Sequence, residues 1–234
     1  MLPDLYITGM SALKFDNLEQ KKSIDGELKQ HLPTLPRRLN TYTKAALLGA
    51  VKCVDGKALA NADVFLCSHH ISLDVMDDLI RSTVFGKEPP KPINFIHSIG
   101  NSTTFYISQQ LNLSGESLFL AEQNDCLAAL MLLAALKIYD GRPAVLLGNV
   151  IQDRDSISTS WMLLEGQRAA DAIIKIEFKT LTDGENDSAA YESRTDSHNF
   201  HQFCQNALAG NYPNNLHTDK FQRQSGLAIN LISL

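Results

Sequence analysis

Positive charge is in short supply: 21 Lys and Arg face 26 Asp and Glu, for a formal charge of −5. A chain that grips nucleic acid through its phosphates carries a basic stripe, so that class of function is excluded. Cysteine is sparse too, and Cys53, Cys67, Cys126 and Cys204 never fall into a Cys-x-x-Cys spacing. Zinc and iron–sulfur frameworks need such spacing, so no metal and no cofactor is expected. Glycine-rich phosphate loops are missing, since Gly9, Gly100 and Gly115 each stand alone. The longest apolar run, 126–136, is about half the ~20 residues that a membrane span requires. No charged stretch precedes an apolar one at the N-terminus, where Asp4 comes early, so no secretory signal is read. The expectation is a cytoplasmic protein with reduced thiols.

What is present is a mixed composition, 44% hydrophobic over 234 residues, enough to bury a substantial core. Short apolar runs alternate with segments of helical period. Strands are expected at 5–8, 63–67, 117–121, 144–147, 173–178 and 227–232, and helices at 42–53, 71–85, 103–111, 164–171 and 200–209. Residues 126–136 read Cys-Leu-Ala-Ala-Leu-Met-Leu-Leu-Ala-Ala-Leu, apolar around the whole circumference, which predicts a helix buried at the centre. Gly141 suits the C-terminal cap of that helix. Three prolines within 87–92 forbid helix or central strand there. Residues 182–197 are rich in Asp, Glu, Asn and Ser and read as a solvated loop. Strands separated by helices argue for α/β layering.

Two clusters carry chemically capable side chains. Cys67-Ser-His69-His70 puts a thiol and two imidazoles within four residues, but adjacent residues at a strand end point to opposite faces, so packing and surface roles are expected. Cys126 opens a helix, where the dipole lowers a thiol pKa, and His97 is the nearest histidine in sequence. A cysteine-dependent acyltransferase or hydrolase using Cys126 with His97 is therefore one reading, and a carrier-protein docking module is another.

Four segments taken together resemble the N-terminal half of the β-ketoacyl synthases. Ile7-Thr-Gly9-Met10 resembles their opening strand and turn, and Pro92-Ile-Asn-Phe95 with Ser98-Ile-Gly-Asn101 resembles the stretch before the dimer-contact helix. Leu111-Asn-Leu-Ser-Gly115 is similar to their glycine turn, and 134–148 to their buried helix and following strand. Residues 161–178 resemble their later strand–helix–strand. The resemblance covers about residues 5–180 and implies the thiolase fold, N-terminal half only, as a mixed sheet with a buried central helix. Residues 1–180 would form that domain, and 181–234 an acidic excursion and an atypical tail packed on it.

The family's nucleophilic cysteine lies between strand and buried helix. Counting nine residues on from Gly115 and seventeen back from Gly141 arrives at Asn124 both times. Ala121-Glu122-Gln123 also resembles the Ala-Glu-Gln of chain length factors, whose glutamine replaces the cysteine, and that match puts Gln123 there. Either way an amide stands where a thiolate is required, so there is no catalytic residue, and Cys126 falls two positions late. The family's histidine pair and oxyanion motif come from a second half, whereas His198, His201 and His217 here lack those surroundings. The resemblance implies a chain length factor of the aryl polyene type in type II fatty acid or polyketide synthesis, not an enzyme on its own. It would form a heterodimer with a full-length ketosynthase and meet an acyl carrier protein transiently. By the same resemblance Ser117, Leu118, Phe119, Leu120 and Ala121 form the interface strand, and Asn101, Phe105, Tyr106 and Ser108 limit the acyl tunnel. A half fold is further expected to leave one sheet face uncovered.

Overall fold

The computed structural model describes residues 2–121, 126–180, 196–211, 215–216 and 227–234. One eight-stranded mixed sheet organises them, in the order β3-β2-β4-β5-β1-β6-β8-β7. The strands are β1 (Leu5–Phe15), β2 (Asp63–Ser68), β3 (Ser117–Ala121), β4 (Ala144–Gln152), β5 (Ile157–Glu165), β6 (Ile174–Thr180), β7 (Asn215–Leu216) and β8 (Leu227–Ser233). β2 pairs in parallel with β3 and β4, and every other pairing is antiparallel. Seven helices accompany them: α1 (Leu18–His31), α2 (Thr41–Val54), α3 (Leu73–Ile80), α4 (Pro92–His97), α5 (Gly100–Leu111), α6 (Cys126–Tyr139) and α7 (Asp196–Leu208).

β2 shows how the sequence makes the layers. All six of its residues are buried, Val64 and Leu66 in the core on one face, Phe65 and Cys67 in the core on the other. A strand covered on both sides reads as a continuous apolar run, as this one does. The first core lies under α1, α2 and α5. Asn40 caps α2 by accepting from the Thr43 amide at 2.7 Å, and Asn17 does the same for α1 from Gln20 at 2.9 Å. The Thr43 and Thr103 hydroxyls, 2.9 Å apart and buried, pin α2 to α5.

The second core corrects two expectations. α7 lays Phe200, Phe203, Cys204 and Ala207 on the sheet beside α6, in a single stripe of helical period. That face is therefore covered by α6 and α7, not left open. The Ser160 hydroxyl of β5 lies 2.5 Å from His201 Nδ1 and ties α7 to the sheet with a polar contact as well. Nor is α6 buried all round: Leu127, Leu130, Met131, Ala134 and Ala135 face the core, while Ala129 and Leu136 are exposed and Leu132 and Leu133 half-buried. The apolar circumference has an outward stripe, because α7 flanks the helix on one side only.

Three local expectations also change. β1 does not stop at Gly9 but runs on to Phe15, with a shift of register between Ile7 and Gly9. A side chain at Gly9 would collide with the Cys53 carbonyl of α2, so the glycine marks a close approach, not an end. The helix expected at 164–171 is absent, because Leu164 and Glu165 remain in β5, paired with both β1 and β4. The helix expected over 71–85 is split into α3 and a π-turn over Arg81–Phe85.

Candidate partner-docking edge

β3 terminates the sheet: it pairs with β2 alone and leaves its other backbone edge without a neighbour among the described residues. Edge strands normally carry charge, proline or a bulge against unwanted pairing. Ser-Leu-Phe-Leu-Ala has none of these. Its position is nonetheless fixed. The Glu116 amide donates to Asp63 Oδ1 at 2.7 Å, the Val64 amide to the Glu116 carbonyl at 2.8 Å, and the Ser114 amide to the Ala60 carbonyl at 2.7 Å. Gly115 is needed there, since a Cβ would strike the Ala62 carbonyl and the Asp63 carboxylate. Glu116 stands between Lys137, at 2.6 Å, and Arg142, and hydrogen bonding from Lys137 holds its carboxyl below the usual carboxylate range.

The side chains of β3 divide between the two cores. Leu118 and Leu120 pack on the α6 side and Phe119 on the α5 side. Phe119 lies flush on Gly100, where a Cβ would overlap its ring, and the Ser117 and Ser108 hydroxyls are 2.8 Å apart. α5 thus rides directly on the edge strand. On its outer surface Phe105 is 58% exposed and meets Tyr106 edge-on, with ring centroids 5.6 Å apart. Of thirteen large apolar side chains exposed among the described residues, eight lie between Met76 and Phe105. That concentration makes the segment a candidate docking surface.

No family model matches the sequence, and no curated protein does. Solved structures do. A chain of the ketosynthase ApeO in complex with its chain length factor ApeC from Xenorhabdus doucetiae superposes with a TM-score of 0.55 at 18% identity, over 78% of this chain and 85% of that one. The ishigamide ketosynthase/chain length factor gives a TM-score of 0.55 at 13% identity, over 78% of this chain and 69% of that one. The AntDE:AntF complex, a type II acyl-carrier protein with its ketosynthase bound to the hexaketide, gives 0.56 at 10% identity, over 76% and 68%. The chain has the ketosynthase fold.

Ser117 to Ala121 form the open edge, and Asn101 and Phe105 are exposed beside it. Tyr106 turns inward, half-buried in the first core and edge-on to His97 at 6.3 Å. Ser108 is half-buried and bonded to Ser117. Gln123 and Asn124 lie outside the described residues, as does the 182–195 stretch of the acidic excursion, and Cys126 is described only as the first residue of α6. His97 is itself buried, and burial holds its pKa below the ordinary histidine value. Burial pushes the free thiols of Cys53 and Cys204 up, which keeps both protonated and unreactive. Cys67 is not a free thiol but disulfide-bonded, which corrects the expectation of reduced cysteines throughout.

The two imidazoles of the Cys67 cluster follow the end of β2, with ring centroids 6.0 Å apart, and no group of three metal-ligating side chains occurs among the described residues. No helix among them is long and apolar enough to cross a membrane. Sequence reasoning missed the contact of His201 with Ser160, 41 residues apart, and the exposed apolar π-turn at Val84 and Phe85. The first has no local signal. The second was legible as two large apolar residues just before a proline-rich loop.

Proposed function

We propose that the chain is a non-catalytic chain length factor subunit of type II fatty acid or polyketide synthesis, of the aryl polyene kind. It pairs with a full-length ketosynthase in the cytoplasm and meets the acyl carrier protein transiently. The observation that carries this reading is the unprotected apolar edge of β3, flanked by exposed Phe105, in a ketosynthase fold. A strand of this kind gains a neighbour by backbone hydrogen bonding, and flanking side chains give the pairing its specificity. The amide at Gln123 or Asn124 supports the lack of catalysis, because neither can form the acyl thioester. Intact-mass measurement of the co-expressed complex, incubated with acyl and malonyl carrier protein, tests this: the ketosynthase should gain the acyl group and this chain none. An acylated cysteine on this chain would overturn the reading.

Phe105 extends into the partner's acyl tunnel and limits chain growth, with Asn101, Tyr106 and Ser108 behind it. Truncating an aromatic in a packed wall leaves a cavity that the surroundings fill only in part. Phe105→Ala complexes should therefore make longer products at unchanged stoichiometry. Tyr106→Ala should instead loosen α5 against His97 and the first core, lowering stability of the chain along with any change in length. Product mass and complex stoichiometry, measured together, separate gating from packing, and unchanged products from intact Phe105→Ala complexes would remove that residue from the role.

A further inference from the structure

We infer that the excursion from α3 through α4 is a second arm of the ketosynthase interface, anchored by Phe85. This inference rests on the pairing proposed above. The edge of β3 is small for an interface. Five residues of strand span about 17 Å. Its edge alone falls well short of the ~800 Å² per partner that stable complexes bury.

The excursion has the surface that is wanting. In the π-turn Val84 is 63% and Phe85 76% exposed, and none of the five residues is buried. π-turns are rare and cluster at functional positions. This one is held firmly: the Gly86 amide donates to the Arg81 carbonyl and the Glu88 amide to the Ser82 carbonyl, both at 2.9 Å, while Lys87 takes a left-handed φ of 53°. The apolar tip is thus presented on a fixed backbone, which lowers the entropic cost of docking.

Two further observations choose the occupant. α3 packs on α4, α4 on α5, and α5 on β3, so the tip belongs to one body with the open edge. Asn94 Nδ2 donates to the Asp78 carboxylate and ties α4 back to α3. The charges of the excursion are mixed, with Asp74, Asp77, Asp78 and Glu88 against Arg81, Lys87 and Lys91, and Arg81 is paired with Asp77 at 2.6 Å. No single-sign field exists for a nucleic acid or an anionic lipid surface. An apolar protein surface continuous with the one that pairs with β3 fits, and that surface is the ketosynthase's.

The test measures affinity for the co-expressed full-length ketosynthase with wild type, Phe85→Ala and Phe85→Leu chains. Interface aromatics that anchor a complex lose at least tenfold in affinity on truncation. Phe85→Ala should weaken the complex by tenfold or more and Phe85→Leu by threefold or less, which excludes misfolding as the cause. Equal affinity of wild type and Phe85→Ala would overturn the second arm and leave the β3 pairing standing. Absence of any complex with wild type would overturn the pairing and this inference together. A wild-type homodimer that Phe85→Ala splits, with ketosynthase affinity unchanged, would assign the tip to a second copy and overturn it too.

Discussion

Trp161→Ala is expected to lower the unfolding free energy by about 3–5 kcal/mol. The ring is fully buried in the first core, and both glycines that face it do so because no Cβ fits. Gly49 of α2 would put a side chain onto its pyrrole edge, and Gly148 of β4 onto its six-membered ring. The indole nitrogen donates to Thr159 Oγ1 at 2.8 Å, so its one polar atom is satisfied. Removing the ring leaves a void between a helix and a strand whose backbones are held by their own ladders and cannot close in. Since domains are stable by about 5–15 kcal/mol, this is a large fraction of the total. Urea unfolding followed by far-ultraviolet circular dichroism gives the measurement, because Trp161 is the sole tryptophan and fluorescence is lost with it. An unchanged midpoint would mean that the core between α2 and the sheet collapses freely, contrary to this packing.

The second large effect is expected in α7. Phe203→Ala should cost about 3–5 kcal/mol. Phe203 is buried in the same cluster as Phe200, Cys204 and Ala207, against β1, β4 and β5. A tail that merely trailed from the domain would lose nothing by this change. Phe200→Ala should cost a similar amount, and the double variant less than the sum, since both rings share one cluster. Thermal unfolding of the three variants checks this, and midpoints equal to wild type would detach α7 from the core.

Legibility of the fold followed how locally each element is determined. β2 and α6 could be read because burial on most sides leaves long apolar runs. α1 could not: Ile24 and Leu28 are fully buried among charged neighbours, and Gly26 interrupts them. Residues 164–171 carry helical spacing, yet Leu164 and Glu165 are claimed by two neighbouring strands, and pairing on both sides outweighs local propensity. The stripe of α7 was visible as a helix, but the sheet face it covers is set by contacts more than 35 residues away, such as His201 with Ser160. At the candidate site, β3 was legible as a strand from its apolar run, whereas the roles proposed for it and for Phe105 come from the family resemblance, and the open edge itself was legible through neither composition nor spacing. Tyr106 follows Phe105 by one residue, about 100° further round the helix, which leaves Phe105 exposed and Tyr106 half-buried against the first core, and a list of bulky residues does not show that.

The most direct test of the central claim is the native mass of this chain purified after co-expression with a full-length ketosynthase. Pairing through the β3 edge predicts a complex of one copy of each chain. A homodimer of this chain, or a monomer that leaves the ketosynthase to pair with itself, would contradict it.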